Sequence, residues 1–181
     1  MKWLWIASFL LLGACASILD QAPSAETGSA SHQIYLVRHA EKQAGPDPSL
    51  TAAGQARAER LADILADKGL TQIHSTNLKR TLETAAPIAA RAGLPVSLYE
   101  ADDLDAFAET LAASPGAHLV VGHSNTTPPL AAALGGDPGD EIDEASEYDR
   151  LYVITLDAGE ITSEIERFGV RYDAAATAPA E

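Results

Sequence analysis

The chain reads as an α/β fold: a three-layer α/β/α sandwich on a mainly parallel sheet, closed by an antiparallel C-terminal hairpin. Three observations predict it. Short apolar runs of strand length alternate with stretches of helical period, the pattern of parallel strands joined by crossover helices. Two of those runs, Ile34-Tyr35-Leu36-Val37 and His118-Leu119-Val120-Val121, are apolar almost throughout, as strands covered on both faces are. Near the end, residues 151–156 and 160–168 flank Asp157-Ala158-Gly159, a tight-turn signal between two strands.

Each element has its own local reason. The first strand, residues 34–37, stops at the charged sequence Arg38-His39-Ala40-Glu41, and the loop Gly45-Pro46-Asp47-Pro48 follows. Thr51 is placed to cap a helix over residues 52–68, with Ala58, Leu61, Ile64 and Leu65 at helical spacing and Gly69 as its stop. Residues 71–75 form a second strand. Residues 78–92 keep a helical period up to Gly93, with Pro87 kinking or dividing them, and residues 95–98 form a third strand. A helix over 104–113 carries Leu104, Phe107, Ala108 and Leu111 on one side. The strand at 118–121 runs into Gly122-His123-Ser124-Asn125, and a helix over 127–134 has its two prolines in the first turn, where a missing N–H costs little.

With 181 residues, 46% hydrophobic and 21% charged, the chain suits one folded domain, placed at residues 32–172. Residues 1–14 have the pattern of a signal peptide: Met1 and Lys2 precede a ten-residue apolar run, short of the ~20 a spanning helix needs. Leu12-Gly13-Ala14-Cys15 resembles a bacterial lipobox, which implies that Cys15 is lipidated and becomes the first mature residue. Residues 15–31 are then the lipidated Cys and a flexible tether, and 173–181 a disordered, Ala-rich tail. The resemblance implies a membrane partner through the N-terminal lipid anchor, in the bacterial cell envelope; without Asp after the Cys, the outer membrane facing the periplasm is expected. A plain signal peptide with a chance Cys, or a weak anchor over residues 3–19, is the alternative.

Lys and Arg number 12 against 26 Asp and Glu, a formal charge of -14, so a nonspecific electrostatic grip on nucleic acid is excluded as a function class. An anionic substrate must find a local basic pocket. A single Cys excludes an internal disulfide and a multi-thiolate zinc site, and no His-Glu-x-x-His sequence is present. No metal or cofactor is expected. Oligomeric state leaves no mark in the sequence.

Two strand ends, after Val37 and after Val121, each deliver a histidine. Moving a phosphoryl group takes cationic donors, a nucleophile and a proton source; Arg38, His39, Arg80 and His123 can supply the first two. The segments Leu36-Val37-Arg38-His39-Ala40-Glu41, Leu50-Thr51-Ala52-Ala53-Gly54, Ser75-Thr76-Asn77-Leu78-Lys79-Arg80-Thr81-Leu82-Glu83-Thr84-Ala85 and Val121-Gly122-His123-Ser124-Asn125 resemble, in order and spacing, the histidine phosphatase superfamily, phosphoglycerate mutase-like branch. The resemblance covers nearly all of residues 33–156. It implies that His39 is the nucleophile forming a phosphohistidine and that Arg38, Arg80 and His123 bind the phosphoryl group, with a charged His123 stabilising the developing negative charge. Ala40 departs from the family's Arg-His-Gly, which puts the local backbone in question. For the proton donor, Glu100 is the first choice, with Asp102, Asp103 and Asp105 as rivals; Asp102 and Asp103 also suit the cap of the helix that follows.

The expected activity is hydrolysis of a phosphate monoester, on a small-molecule or envelope substrate, since a mutase grips a polyanion with more basic residues than this acidic domain has. The alternatives are a noncatalytic envelope lipoprotein that binds phosphorylated ligands and a phosphohistidine protein phosphatase. Other polar residues are given quieter roles. His74 is expected as a satisfied core or rim histidine, His32 as solvated, and His118 on the face opposite His123. Asn125, Thr126 and Thr127 suit phosphate donation or helix capping. Residues 137–149 hold seven acids and no Lys or Arg, and are expected to form a solvated loop, with Arg150 able to pair with one of them.

Overall fold

Six strands and four helices alternate along residues 32–171, the part of the chain that the computed structural model describes. The expected signal peptide, Cys15 and its tether, and the tail at 173–181 lie outside the described residues. Strands β1 His32–Arg38, β2 Leu70–Ser75, β3 Val96–Leu98, β4 Ala117–Gly122, β5 Arg150–Asp157 and β6 Glu160–Arg167 form one sheet in the order β3-β2-β4-β1-β5-β6. The first four of that order pair in parallel; β5 runs antiparallel to β1, and β6 to β5. The mainly parallel sheet with an antiparallel terminal hairpin is thus present. The hairpin turns at Ala158 (φ 47°) and Gly159 (φ 90°), two successive left-handed residues, as a tight turn matched to strand twist requires.

Side-chain alternation along the two central strands divides the core. Tyr35 and Val37 of β1, with Leu119 and Val121 of β4, pack against Leu61 and Leu65 of helix α1 (Ala52–Leu65) and Ala85 and Ile88 of helix α2 (Lys79–Ala92). Ile34, Leu36 and Val120 point the other way, onto Ala108 and Leu111 of helix α3 (Leu104–Ala113) and Leu130 and Ala131 of helix α4 (Thr127–Ala133). Most of these side chains are at or below 2% exposure, and burying each large one contributes about 1.5–3 kcal/mol. That is why the central strands read as continuous apolar runs.

Helix ends follow the expected chemistry with one difference. Thr51 caps α1, its hydroxyl accepting the Gly54 N–H at 3.1 Å. The helix ends at Leu65 rather than 68, because Lys68 N–H returns to the Leu65 carbonyl in a tighter turn before Gly69 takes a φ of 63°. Helix α2 runs unbroken through Pro87 to a left-handed Gly93. Its first N–H donates to the Asp47 carboxylate, a cap 32 residues away in sequence.

Two expectations are overturned. His32 is buried, not solvated: its ring lies 5.6 Å from that of His118, and β1 pairing with β5 covers it. The acidic segment before β5 is not simply solvated. Glu147 and Asp149 are buried; Glu147 pairs with Arg150 (2.5 Å) and Arg167 (2.6 Å), and Asp149 with Arg167 (2.7 Å). Two of the chain's few arginines make burial of these carboxylates tolerable. His74, by contrast, is a satisfied core histidine, its Nε2 lying 3.3 Å from His118 Nδ1.

Candidate active site

Strand register brings the two histidines together. Arg38 of β1 sits opposite Gly122 of β4, so the next residue of each strand leaves the sheet side by side. The His39 N–H donates to the Gly122 carbonyl at 3.0 Å, and the His39 and His123 rings meet edge to face at 5.5 Å between centroids. This is the carboxyl edge of the parallel strands, where α/β sheets bind ligands. Gly122 is required there: a Cβ would come within 2.9 Å of both the Thr126 and Tyr99 hydroxyls. Gly54 has a similar reason, since a Cβ would overlap the Glu41 carbonyl oxygen.

His39 is almost fully buried. Its Nδ1–H donates to the Ala40 carbonyl at 2.8 Å, which leaves the lone pair on Nε2. Burial drives its pKa down to about 3, against the opposing pull of that hydrogen bond, and the positive charges of Arg38 and Arg80 push the same way as burial. The imidazole is therefore neutral at pH 7, the state a nucleophile needs. Ala40 is accommodated: its methyl packs with Leu50 and Ala58, and its N–H donates to Thr84 Oγ1 at 3.0 Å.

His123 lies between Thr76 Oγ1 (2.9 Å from Nε2) and Arg80 Nη2 (3.5 Å from Nδ1). A guanidinium only donates, so Nδ1 accepts and Nε2–H donates to Thr76. Burial, then Arg80 and Arg38, lower the His123 pKa to about 4. The expected charged His123 is thus neutral at pH 7 in this structure. Arg80 comes from the first turn of α2, half-buried, with its Nε buried and unpartnered.

His39, Arg80 and His123 line one cavity of about 600 Å³, together with Lys42, Asp102 and Glu144. Arg38 does not line it. Its guanidinium is held by three carbonyls, those of Glu147 (2.8 Å), Glu144 (2.7 Å) and Asp143 (3.3 Å), and lies 4.1 Å from the centre of the Tyr148 ring. Its Nε is the one nitrogen left buried and unpartnered. Glu100, the first choice as proton donor, is exposed and off the cavity wall. The chain turns between Tyr99, buried against Phe107, and Ala101, so that Asp102 faces the cavity instead. Asp103 caps α3 by accepting the Ala106 N–H at 3.0 Å, and Asp105 is exposed in that helix's first turn.

Several contributors went unread in the sequence. Thr76 lay inside a quoted motif, and its contact with His123 follows from the adjacency of β2 and β4. Lys42, Glu144 and Tyr148 carry no local signal, because loops that meet only in the folded chain bring them in. Among the described residues no group of three or more His, Cys, Asp or Glu side chains is arranged to hold a metal ion. No described helix is long and apolar enough to cross a membrane.

Residues 34–105 match the sequence model of the histidine phosphatase superfamily (branch 1). Among curated proteins, an uncharacterized Mycobacterium tuberculosis protein is 42% identical over 72 residues, 35% of this chain and 36% of that one. A probable phosphoglycerate mutase of Yersinia enterocolitica is 38% identical over 72 residues, 35% of this chain and 34% of that one. The chain thus spans about a third of the length of the curated relatives it matches. Among solved structures, the protein histidine phosphatase SixA complexed with tungstate superposes with a TM-score of 0.60 at 19% identity, over 75% of this chain and 95% of that one. Residues 34–105 thus carry a sequence pattern similar to that of the histidine phosphatase superfamily (branch 1), and the described residues share the fold of the solved structure.

Proposed function

We propose that the protein is a phosphatase that hydrolyses phosphate monoesters through a phosphohistidine at His39. The observation that carries this reading is the pairing of a neutral, tautomer-fixed His39 with His123 and Arg80 in one cavity. His39 Nε2 attacks phosphorus, the P–N bond forms and the ester P–O bond breaks. The departing alcohol oxygen takes a proton from the Asp102 carboxylic acid. Water then attacks the phosphohistidine, gives its proton to the Asp102 carboxylate, and the P–N bond breaks to release inorganic phosphate and free His39.

Arg80 donates to the phosphoryl oxygens, and the dianion favours protonation of His123, supplying a second charged donor. Arg38, with both terminal nitrogens committed to carbonyls, contributes its charge and its free Nε. Lys42 is the one further cation on the cavity wall, against the carboxylates of Asp102 and Glu144, which favours hydrolysis over a mutase's retention of a polyanion. Lipidation of Cys15 would tether the enzyme at the envelope membrane, a reading supported by the sequence Leu12-Gly13-Ala14-Cys15.

The test is p-nitrophenyl phosphate hydrolysis by the full chain in detergent, with EDTA present, beside His39→Ala. Turnover in the wild type that falls to background in the variant is expected, with a phosphohistidine trapped by rapid acid-free quench. Absence of turnover by folded protein, or equal turnover by the variant, overturns the reading. Labelling with a radioactive lipid precursor, lost in Cys15→Ala, tests the anchor.

A further inference from the structure

A second cavity of about 290 Å³ opens beside the first and shares Ser124, Asn125 and Glu144 with it. Its remaining walls are Pro128, Pro129, Ile142 and Glu141. We propose that this cavity is the leaving-group subsite and that it selects phosphate monoesters of alcohols bearing an ammonium group. The inference rests on the phosphatase reading and deepens it.

The charge distribution carries the argument. Of the seven acids between residues 137 and 149, Glu147 and Asp149 are neutralised by Arg150 and Arg167. Asp143 holds its own turn, accepting the Ala145 N–H and the Ser146 hydroxyl. The two acids that face the second cavity are different. Glu141 and Glu144 are exposed, and their carboxylates make no ion pair with any described residue. Among the described residues no Lys or Arg lines this cavity, whereas Arg80 and Lys42 stand with Asp102 and Glu144 at the phosphoryl end. The cations of the site thus stand where the phosphate binds, and the end toward which the alcohol would extend has acids without a Lys or Arg beside them.

Apolar walls complete the match. Pro128, Pro129 and Ile142 offer a surface for methylene groups, and Ser124 and Asn125 add neutral polar groups at the junction. A carboxylate or second phosphate in this position would meet the like charges of Glu141 and Glu144, the latter shared with the fields of Arg38 and His123. An ammonium group gains from both while its alkyl stem lies on the proline faces. Because the carboxylates are exposed and screened by water, each contributes only a small factor, so the selectivity is one of several-fold rather than many orders.

The test compares ω-ammonium alkyl phosphates, from ethyl to hexyl, with n-alkyl phosphates of matched length on the full chain. At low salt the best ammonium ester is expected to exceed its neutral counterpart in kcat/KM by about fivefold, as two exposed pairs allow. The ratio should drop by about half in Glu141→Gln or Glu144→Gln, vanish in the double variant, and shrink in 0.5 M salt, roughly a fourfold cut in screening length or more below the low-salt value. Both side chains are exposed and unpaired, so the variants fold. Equal kcat/KM for the two series, or a ratio unchanged in the double variant, overturns the subsite. A parallel calorimetric comparison with His39→Ala separates the two readings. Preferential binding of ammonium esters without wild-type turnover keeps the subsite and sinks the phosphatase reading, whereas turnover without preference does the reverse.

Discussion

In the proposed mechanism protonation of the leaving oxygen turns on one carboxylate, and Asp102, which lines the cavity, is better placed for it than the exposed Glu100. The four acids at 100–105 are alike in sequence; they differ in where the turn after Tyr99 points them. A nitrophenolate leaves without a proton, but an alkoxide does not, so the two substrates separate a donor from a merely structural residue. Asp102→Asn should lower kcat/KM on an alkyl phosphate by about 100-fold, the low end of a general acid's contribution, and leave kcat/KM on p-nitrophenyl phosphate within about threefold, because kcat/KM reads the steps through release of the alcohol and not the later attack by water. Glu100→Gln should change neither. Steady-state kinetics on both esters checks this, and an equal loss on both would remove Asp102 from the role.

The segment between α4 and β5 acts as a clasp on Arg38. Burial alone would raise the Glu147 carboxyl, but hydrogen bonds from Arg150, the Asp143 N–H and Arg167 outweigh it and hold the group below the usual carboxylate range. Those bonds fix the backbone whose carbonyls at 143, 144 and 147 grip the Arg38 guanidinium. In the proposed mechanism Glu147 is thus a positioning residue acting through Arg38. Glu147→Gln leaves two arginines short of a buried charge partner and should destabilise the fold by about 3 kcal/mol. With Arg38 less firmly held, kcat/KM should fall about tenfold, while Glu144→Gln, whose contact with Arg38 is made by its carbonyl, retains the native melting temperature. Urea unfolding together with kinetics checks both; a variant of native stability would show the clasp to be dispensable. The sequence offered Arg150 as a partner for one of the acids at 137–149, and it pairs with Glu147; the grip on Arg38 and the pairing with Arg167 carried no local signal, because those partners lie far away in sequence.

At the scale of the whole molecule, burial acts on four histidines in two pairs, His39 with His123 and His74 with His118. Burial lowers His39 to about 3 and His74 and His123 to about 4, and it lowers His118 as well. In the unfolded chain each titrates near 6.5. Between those values the unfolded state binds more protons than the folded one, so stability is complete above about pH 6.5 and falls as pH drops toward 4. Unfolding at pH 5 should take up about three protons, read from the slope of urea-derived stability against pH. The melting temperature should fall steadily from pH 7 to pH 4.5. A flat profile over that range would show that these imidazoles are already charged in the fold.

Much of the architecture was legible from pattern alone. The apolar runs at 34–37 and 118–121, the cap at Thr51, the stop at Gly93 and the turn at Ala158-Gly159 are local features, and a helix or strand boundary depends on the few residues around it. The motif order likewise identified His39, Arg80 and His123 as one group, because each sits at the end of a strand or the start of a helix that the pattern had already placed. What remained to the tertiary structure were relations between distant segments. The burial of His32, the place of Asp102 on the cavity wall and of Glu100 off it, the engagement of Arg38 by backbone carbonyls and the pairing of Glu147 with Arg167 depend on which loops converge and how much water they exclude. A carboxylate reads the same in sequence whether it is solvated, paired or aimed into a cavity. Only the field and the neighbours set by the folded chain distinguish the three.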